Sequence, residues 1–449
     1  MQPLRVGNGC GFWGDNLDAP VALAETGRLD YLTLEYLAEL TMSILALLKQ
    51  RDPQAGYAID FLDVLGRLAP CLQAQPGLKV VTNAGGMNPL GCARKAREIL
   101  DKNGLQDRKI GVVSGDDLMA RLDEILAAGQ PLANLDTGER LSSVRSRIVS
   151  ANAYLGSPPI VEALRRGASV VITGRVADAA LTVAPAAHEF NWQWDDWDRL
   201  GAGTVAGHLL ECGAQATGGL WCNWQEATDL ANVGYPIAEI DGDGSFTLTK
   251  PEGSGGAVNR ETVAEQLLYE VGDPARYLTP DVTANFTTAR LNETGRDRVR
   301  VEGATGTAAT DSYKVSIAYR DGYTASGTLV IAGPDAAAKG RACGRMILER
   351  LHRAGVAFAH HNIECLGAGD CVPGVLPAAN PPEVVLRVAV RDGNKANVER
   401  FTKEFAPLVT SGPPGVTGYT TGRPAVREVF AYWPALLAKS QVKATVEMM

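Results

Sequence analysis

Four residues stand where apolar runs give way to polar turns, and their side chains can move a proton or hold a charge. Glu35 closes the run 31–34, Asn83 opens Asn83-Ala84-Gly85-Gly86, and Arg175 and Asp178 lie three apart in Thr173-Gly174-Arg175-Val176-Ala177-Asp178. A helical start after residue 174 would put the last two on one face. A partly desolvated carboxyl, Glu35 or Asp178, can act as general acid or base. Asn83, Arg175 and turn amides can stabilise enolate-like charge. These four are the candidate catalytic residues for adding or removing water, or for cleaving a carbon–carbon bond beside a carbonyl. The plain alternatives are a glutamate complementing a helix dipole and a local ion pair.

Glycine-rich turns supply a second set. Gly7, Gly9 and Gly11 alternate ahead of Asp15, Tyr154-Leu155-Gly156 leads to Ser157 and Pro158, and Gly255-Gly256 ends a flexible stretch. Backbone N–H groups at such turns can face an anion. The expected substrate- or anion-binding residues are therefore Gly9, Gly11, Asp15, Gly85, Gly86, Tyr154, Ser157, Gly174, Gly255 and Gly256. The first turn is not a dinucleotide fingerprint, because Phe12 and Trp13 interrupt it and Pro20 comes early. A nucleotide-dependent oxidoreductase would rest on that turn alone. The five histidines show no HxxxH or HxH spacing, so no metal site is read. No cofactor is specified by any motif.

The elements that position these residues read as α/β. Up to about residue 190, short apolar runs end in glycine-rich turns followed by helical patterns, the signature of a mostly parallel sheet flanked by helices. Ligands of such sheets bind beyond the carboxyl ends of the strands. Residues 200–310 are less regular: Asp241-Gly242-Asp243-Gly244 predicts a hairpin, and 253–259 either a lid or a plain flexible hairpin. From 311 the order ββα-ββα-ββ predicts a smaller α+β domain of ferredoxin-like type reaching residue 449, with separate strands at 313–319 and 323–331 and a last one at 442–446. The division is thus 1–310 and 311–449.

Composition narrows the class. The chain has 449 residues, 45% hydrophobic and 21% charged, enough to fill cores and to exclude global disorder. Lys and Arg total 43 against 51 Asp and Glu, a net charge of -8 that disfavours nucleic acid. There is no secretory start and no 18-residue apolar run, so no membrane partner is expected. Eight scattered cysteines without a CxxC pair suggest a reduced, cytoplasmic protein. GxSxG, GxxxxGK[ST] and HExxH are missing, which lowers serine-triad and ATP-driven chemistry.

Gly11-Phe12-Trp13-Gly14-Asp15, Asp30-Tyr31-Leu32 with 36–42, Asn83 to Pro89, Thr173 to Asp178, and the run from Gly255-Gly256 through 265–270 to Tyr277 and Pro280-Asp281-Val282 resemble the acyclic terpene utilisation AtuA-type family. The resemblance covers most of residues 5–350. It implies bacterial catabolism of acyclic terpenoids beside enzymes of branched acyl-CoA thioesters, hence an acyl-CoA or related anionic small molecule as substrate and a hydratase or lyase step. It brings no settled catalytic residues. The alternative is a non-catalytic subunit that presents substrate within a catabolic complex. A homo-oligomer is the base-rate expectation.

Overall fold

Strands form where the apolar runs end in turns: β1 (Leu4–Asn8), β2 (Tyr31–Leu34), β3 (Lys79–Thr82), β4 (Ile110–Ser114), β5 (Ile148–Ala153) and β6 (Val170–Thr173). The computed structural model describes residues 2–375 and 380–449. In it β1, β2, β3, β6 and β4 lie side by side in that order, each pair parallel. Antiparallel strands extend both edges. β7 (Ile237–Ile240) joins β1, β8 (Phe246–Thr249) joins β7, and the hairpin of Arg290–Gly295 and Arg298–Glu302 completes that side. Ten strands result. The turn 241–244 is the tight β7–β8 connection, with Asp241 N–H donating to Ser245 O at 2.8 Å.

Helices cover both faces, and β2 shows how. Leu32 and Leu34 are buried in the cluster built by the helices Ala19–Thr26, Asp60–Ala74 and Pro89–Lys102. Tyr31, one residue out of phase, sends its hydroxyl to Glu189 Oε1 at 2.6 Å, on the helix Ala180–Phe190. Alternate residues of a strand point to opposite faces. The second helix group is Pro158–Arg165, Ala180–Phe190 and Trp197–Glu211, which contact one another in sequence. Asn88 caps Pro89–Lys102 by accepting from Gly91 N–H at 3.0 Å, with Pro89 at the first helical position.

The chain divides into two compact units, 1–318 with 432–449, and 319–431. The last strand, Thr445–Met448, was expected in the smaller domain; it pairs antiparallel with β4 in the ten-stranded sheet. The smaller unit also differs from ββα-ββα-ββ. Residues 313–319 and 323–331 belong to one strand, Ser312–Ala332, which runs on through Gly322 at φ +87°. Its part from Tyr323 on pairs antiparallel with Glu383–Asp392, which pairs in turn with His360–Leu366. The helix Ala336–Arg353 follows the long strand, and Lys395–Phe401 follows Glu383–Asp392. Their apolar faces bury Cys343, Ile347, Leu351, Val398 and Phe401 in one core with the sheet, joined by Phe405 just beyond the second helix.

Residues 253–259 are tied rather than loose. Gly255 and Gly256 bridge to Val233 and Thr228, and Gly256 N–H donates to Thr228 O at 2.6 Å. Among the described residues no helix is long and apolar enough to cross a membrane.

Candidate active site at the carboxyl ends of the parallel strands

The turns after β1, β2, β5 and β6 meet the helix Trp197–Glu211 and residues 269–278 around a cavity of about 670 Å³ in the larger unit. Five expected residues line it together: Gly11, Glu35, Tyr154, Arg175 and Asp178. His208, Glu211, Cys212, Tyr277, Glu39 and Lys314 complete much of the wall.

Glu35 sits where β2 ends and is 5% exposed. Its Oε1 accepts from the Asn83 amide and from Leu37 N–H at 3.0 Å, while Asn83 Oδ1 accepts from Tyr36 N–H at 2.8 Å. Asn83, fully buried, thus belongs to the wall behind Glu35 and orients it. The other oxygen, Oε2, is buried with no hydrogen-bond partner among the described residues. Burial and then the nearby Asp178 charge push the Glu35 carboxyl up to about 8, against the opposing pull of Arg175 and the two hydrogen bonds. That direction favours the protonated form near neutral pH.

Arg175 is 2% exposed. Its guanidinium lies 4.0 Å from the centre of the Tyr154 ring, and Nη1 donates to Asp178 Oδ1 at 2.6 Å. Tyr154 Oη donates to Glu39 Oε1 at 2.5 Å, which also accepts from Lys314 Nζ at 3.2 Å. Burial alone would raise Glu39, but the Tyr154 hydroxyl, the Lys314 ammonium and Arg175 hold its carboxyl at about 2. Asp178, Arg175, Tyr154, Glu39 and Lys314 therefore form one chain of alternating charge, with aromatic stacking in the middle.

The turn amides hold carboxylates of the chain itself. Gly11 N–H donates to Asp15 Oδ2 at 2.8 Å, Arg175 N–H to Asp116 Oδ2 at 2.9 Å, and Ser157 N–H to Asp281 Oδ2 at 2.9 Å. The glycines make room for these groups. A Cβ on Gly174 would stand 2.3 Å from Asp116 Oδ1, and one on Gly156 2.1 Å from Asp281 Oδ1. Burial pushes Asp116 up to about 6 despite the donors from Arg175 N–H and the Asn152 amide. The amides of Gly11, Arg175 and Ser157 are thus already satisfied by carboxylates of the chain.

The remaining expected residues have structural surroundings. Gly9 packs with Pro20, whose Cα would be 2.8 Å from an added Cβ, and Gly85 lets Thr173 O approach within 2.5 Å of that position. Gly86 takes φ +48° against Leu45. Asp15 also accepts from the Tyr235 hydroxyl at 2.6 Å. Ser157 serves Asp281 with its hydroxyl, at 2.7 Å. Gly255 borders a different surface cavity of about 920 Å³, with Arg5, Lys250 and Arg298, and Gly256 lies beside Thr217. Trp192 and Trp221 are buried.

Sequence reasoning missed His208 and Glu211. Their spacing of three on one helix was the available signal, though nothing local ties that helix to the cavity. Glu39 stands four residues after Glu35 and was equally visible. Lys314 and Asp116 carry no local mark. Among the described residues no group of three or more His, Cys, Asp or Glu is placed to hold a metal ion.

The family model of the acyclic terpene utilisation family protein AtuA matches residues 4–448. No curated protein and no solved structure matches the chain.

Proposed function

The chain belongs to the acyclic terpene utilisation AtuA family, which implies a role in acyclic terpene utilisation, and we propose that it is an enzyme performing a hydratase- or lyase-type step on an acyl-CoA or related anionic small molecule. One observation carries this reading: Glu35 is a buried carboxyl on a cavity wall, with Oε2 unengaged among the described residues and Oε1 fixed by Asn83, and burial pushes it up to about 8. A carboxyl so placed can protonate a carbonyl oxygen as enolate character develops, or a departing hydroxyl. The acyl end would enter the cavity with Arg175 and Lys314 as its cationic side. The smaller unit we read as ferredoxin-like, from its β-α-β-β-α-β order and its strand order of His360–Leu366, Glu383–Asp392, Ser312–Ala332, Arg427–Ala438.

The test is a thermal-shift series with free CoA and short branched and unbranched acyl-CoAs, followed by incubation of any binder in D2O. A rise in melting temperature with an acyl-CoA, and deuterium entering beside its carbonyl in wild type but not in Glu35→Gln, is the expected result. Equal exchange in both proteins, or no shift across the series, overturns it.

A further inference from the structure

Glu211 ends the helix Trp197–Glu211 and faces the same cavity as Glu35. Three residues earlier on that helix, His208 is 1% exposed and packed against the paired rings of Tyr277 and Phe286, with centroids at 5.7 and 5.3 Å. Its Nε2 lies 3.0 Å from Gln266 O, and a carbonyl only accepts, so Nε2 carries a hydrogen. Its Nδ1 lies 2.9 Å from Glu211 Oε1. Gln266 returns an amide hydrogen bond to His208 O at 3.0 Å, locking helix and partner together. Glu211 Oε2 is left buried with no hydrogen-bond partner among the described residues. The Asp178 charge acts on both Glu35 and Glu211.

We propose that Glu211 is a second proton-transfer carboxyl of this cavity, positioned by His208 and working with Glu35, and that their ligand is a hydroxy-carbonyl compound. The proposal rests on the reading of Glu35 as the acid. Each carboxyl keeps one oxygen for the ligand: Glu35 offers a hydrogen to a carbonyl oxygen, and Glu211 accepts one from a hydroxyl. Burial opposes charge on His208, but the Glu211 carboxylate and the bond to Gln266 O raise its affinity for a proton above the ordinary value. Burial first, and then the like charges of Asp178 and Glu270, push the Glu211 carboxyl above its ordinary range, while the His208 charge and hydrogen bond favour the carboxylate.

Glycidol tests this without a known substrate. A carboxylate oxygen attacks a ring carbon, the ring C–O bond opens, and the alkoxide takes a proton from a neighbouring acid, leaving a glyceryl ester. The expected product is an adduct mapped to Glu211 by peptide mass spectrometry, formed roughly tenfold or more slowly in Glu35→Gln. In His208→Asn the pH of half-maximal labelling should move upward, which loss of packing alone would not produce; thermal melting confirms that each variant is folded. Adducts confined to surface carboxylates, or equal rates in wild type and Glu35→Gln, overturn the proposal. This readout is separate from thioester binding. Labelling of Glu211 without any acyl-CoA response upholds the carboxyl pair and removes the thioester, whereas the reverse pattern removes Glu211 alone.

Discussion

Asp281 takes both hydrogens that Ser157 offers, from the backbone N–H at 2.9 Å and from the hydroxyl at 2.7 Å, at the amino end of the helix Pro158–Arg165. A side chain 124 residues away thus fills the place of an anionic ligand at a helix start. Asp281→Ala should lower stability by about 1–3 kcal/mol, because the Ser157 donors lose their partner. Urea unfolding of the single and double variants with Ser157→Ala checks it, and additive losses would show that the pair is not coupled.

Gly174 is required by the same kind of approach. Asp116 is fixed by Arg175 N–H and the Asn152 amide, so it cannot retreat from a Cβ that would stand 2.3 Å away. Gly174→Ala should cost about 1–3 kcal/mol. Gly77→Ala, where nothing lies within 4 Å of the added carbon, should leave the unfolding midpoint unchanged or slightly raised. Equal midpoints for the two variants would contradict the geometry.

Glu35 makes stability depend on pH in a defined direction. Its folded value, about 8, lies above the ordinary 4.5, so the folded state holds a proton that the unfolded chain gives up. That stabilisation is complete below about pH 4.5 and is lost as pH rises through about 8. Melting temperature in wild type should fall over this window more steeply than in Glu35→Gln. Parallel curves would rule out a protonated Glu35.

Glu39 titrates the opposite way. Held at about 2, it adds stability above pH 4.5 that disappears as pH falls towards 2. Tyr154→Phe removes the hydroxyl at 2.5 Å and should move the Glu39 carboxyl up towards 4.5. Carboxyl-carbon NMR shifts followed against pH measure this directly; an unmoved titration would assign the depression to Lys314 and Arg175.

The parallel strands and their turns were readable because β1, β2, β3, β4 and β6 are short, mostly apolar runs that give way to polar or glycine-containing turns. Hence Glu35, Tyr154, Arg175 and Asp178 could be brought to one rim from local pattern alone. What fills the turns could not be read. Asp116 and Asp281 reach Arg175 and Ser157 across 59 and 124 residues, and a carboxylate used as an internal anion has no local signature. The glycines that seemed to await a ligand carry the same sequence mark whichever anion they admit. Glu211 escaped for a related reason, since its role comes from Gln266 and His208 rather than from a motif.

The pairing of Thr445–Met448 with β4 joins residues 331 apart, Ser114 and Thr445 being within 2.8 Å through their hydroxyls. During synthesis β4 therefore waits as a bare edge while the whole of 319–431 emerges from the ribosome. Its exposed N–H and C=O groups are open to wrong neighbours for that interval. Correct assembly is thus a matter of timing as well as of affinity: the smaller unit must fold without capturing that edge, and the final strand must arrive before another chain does.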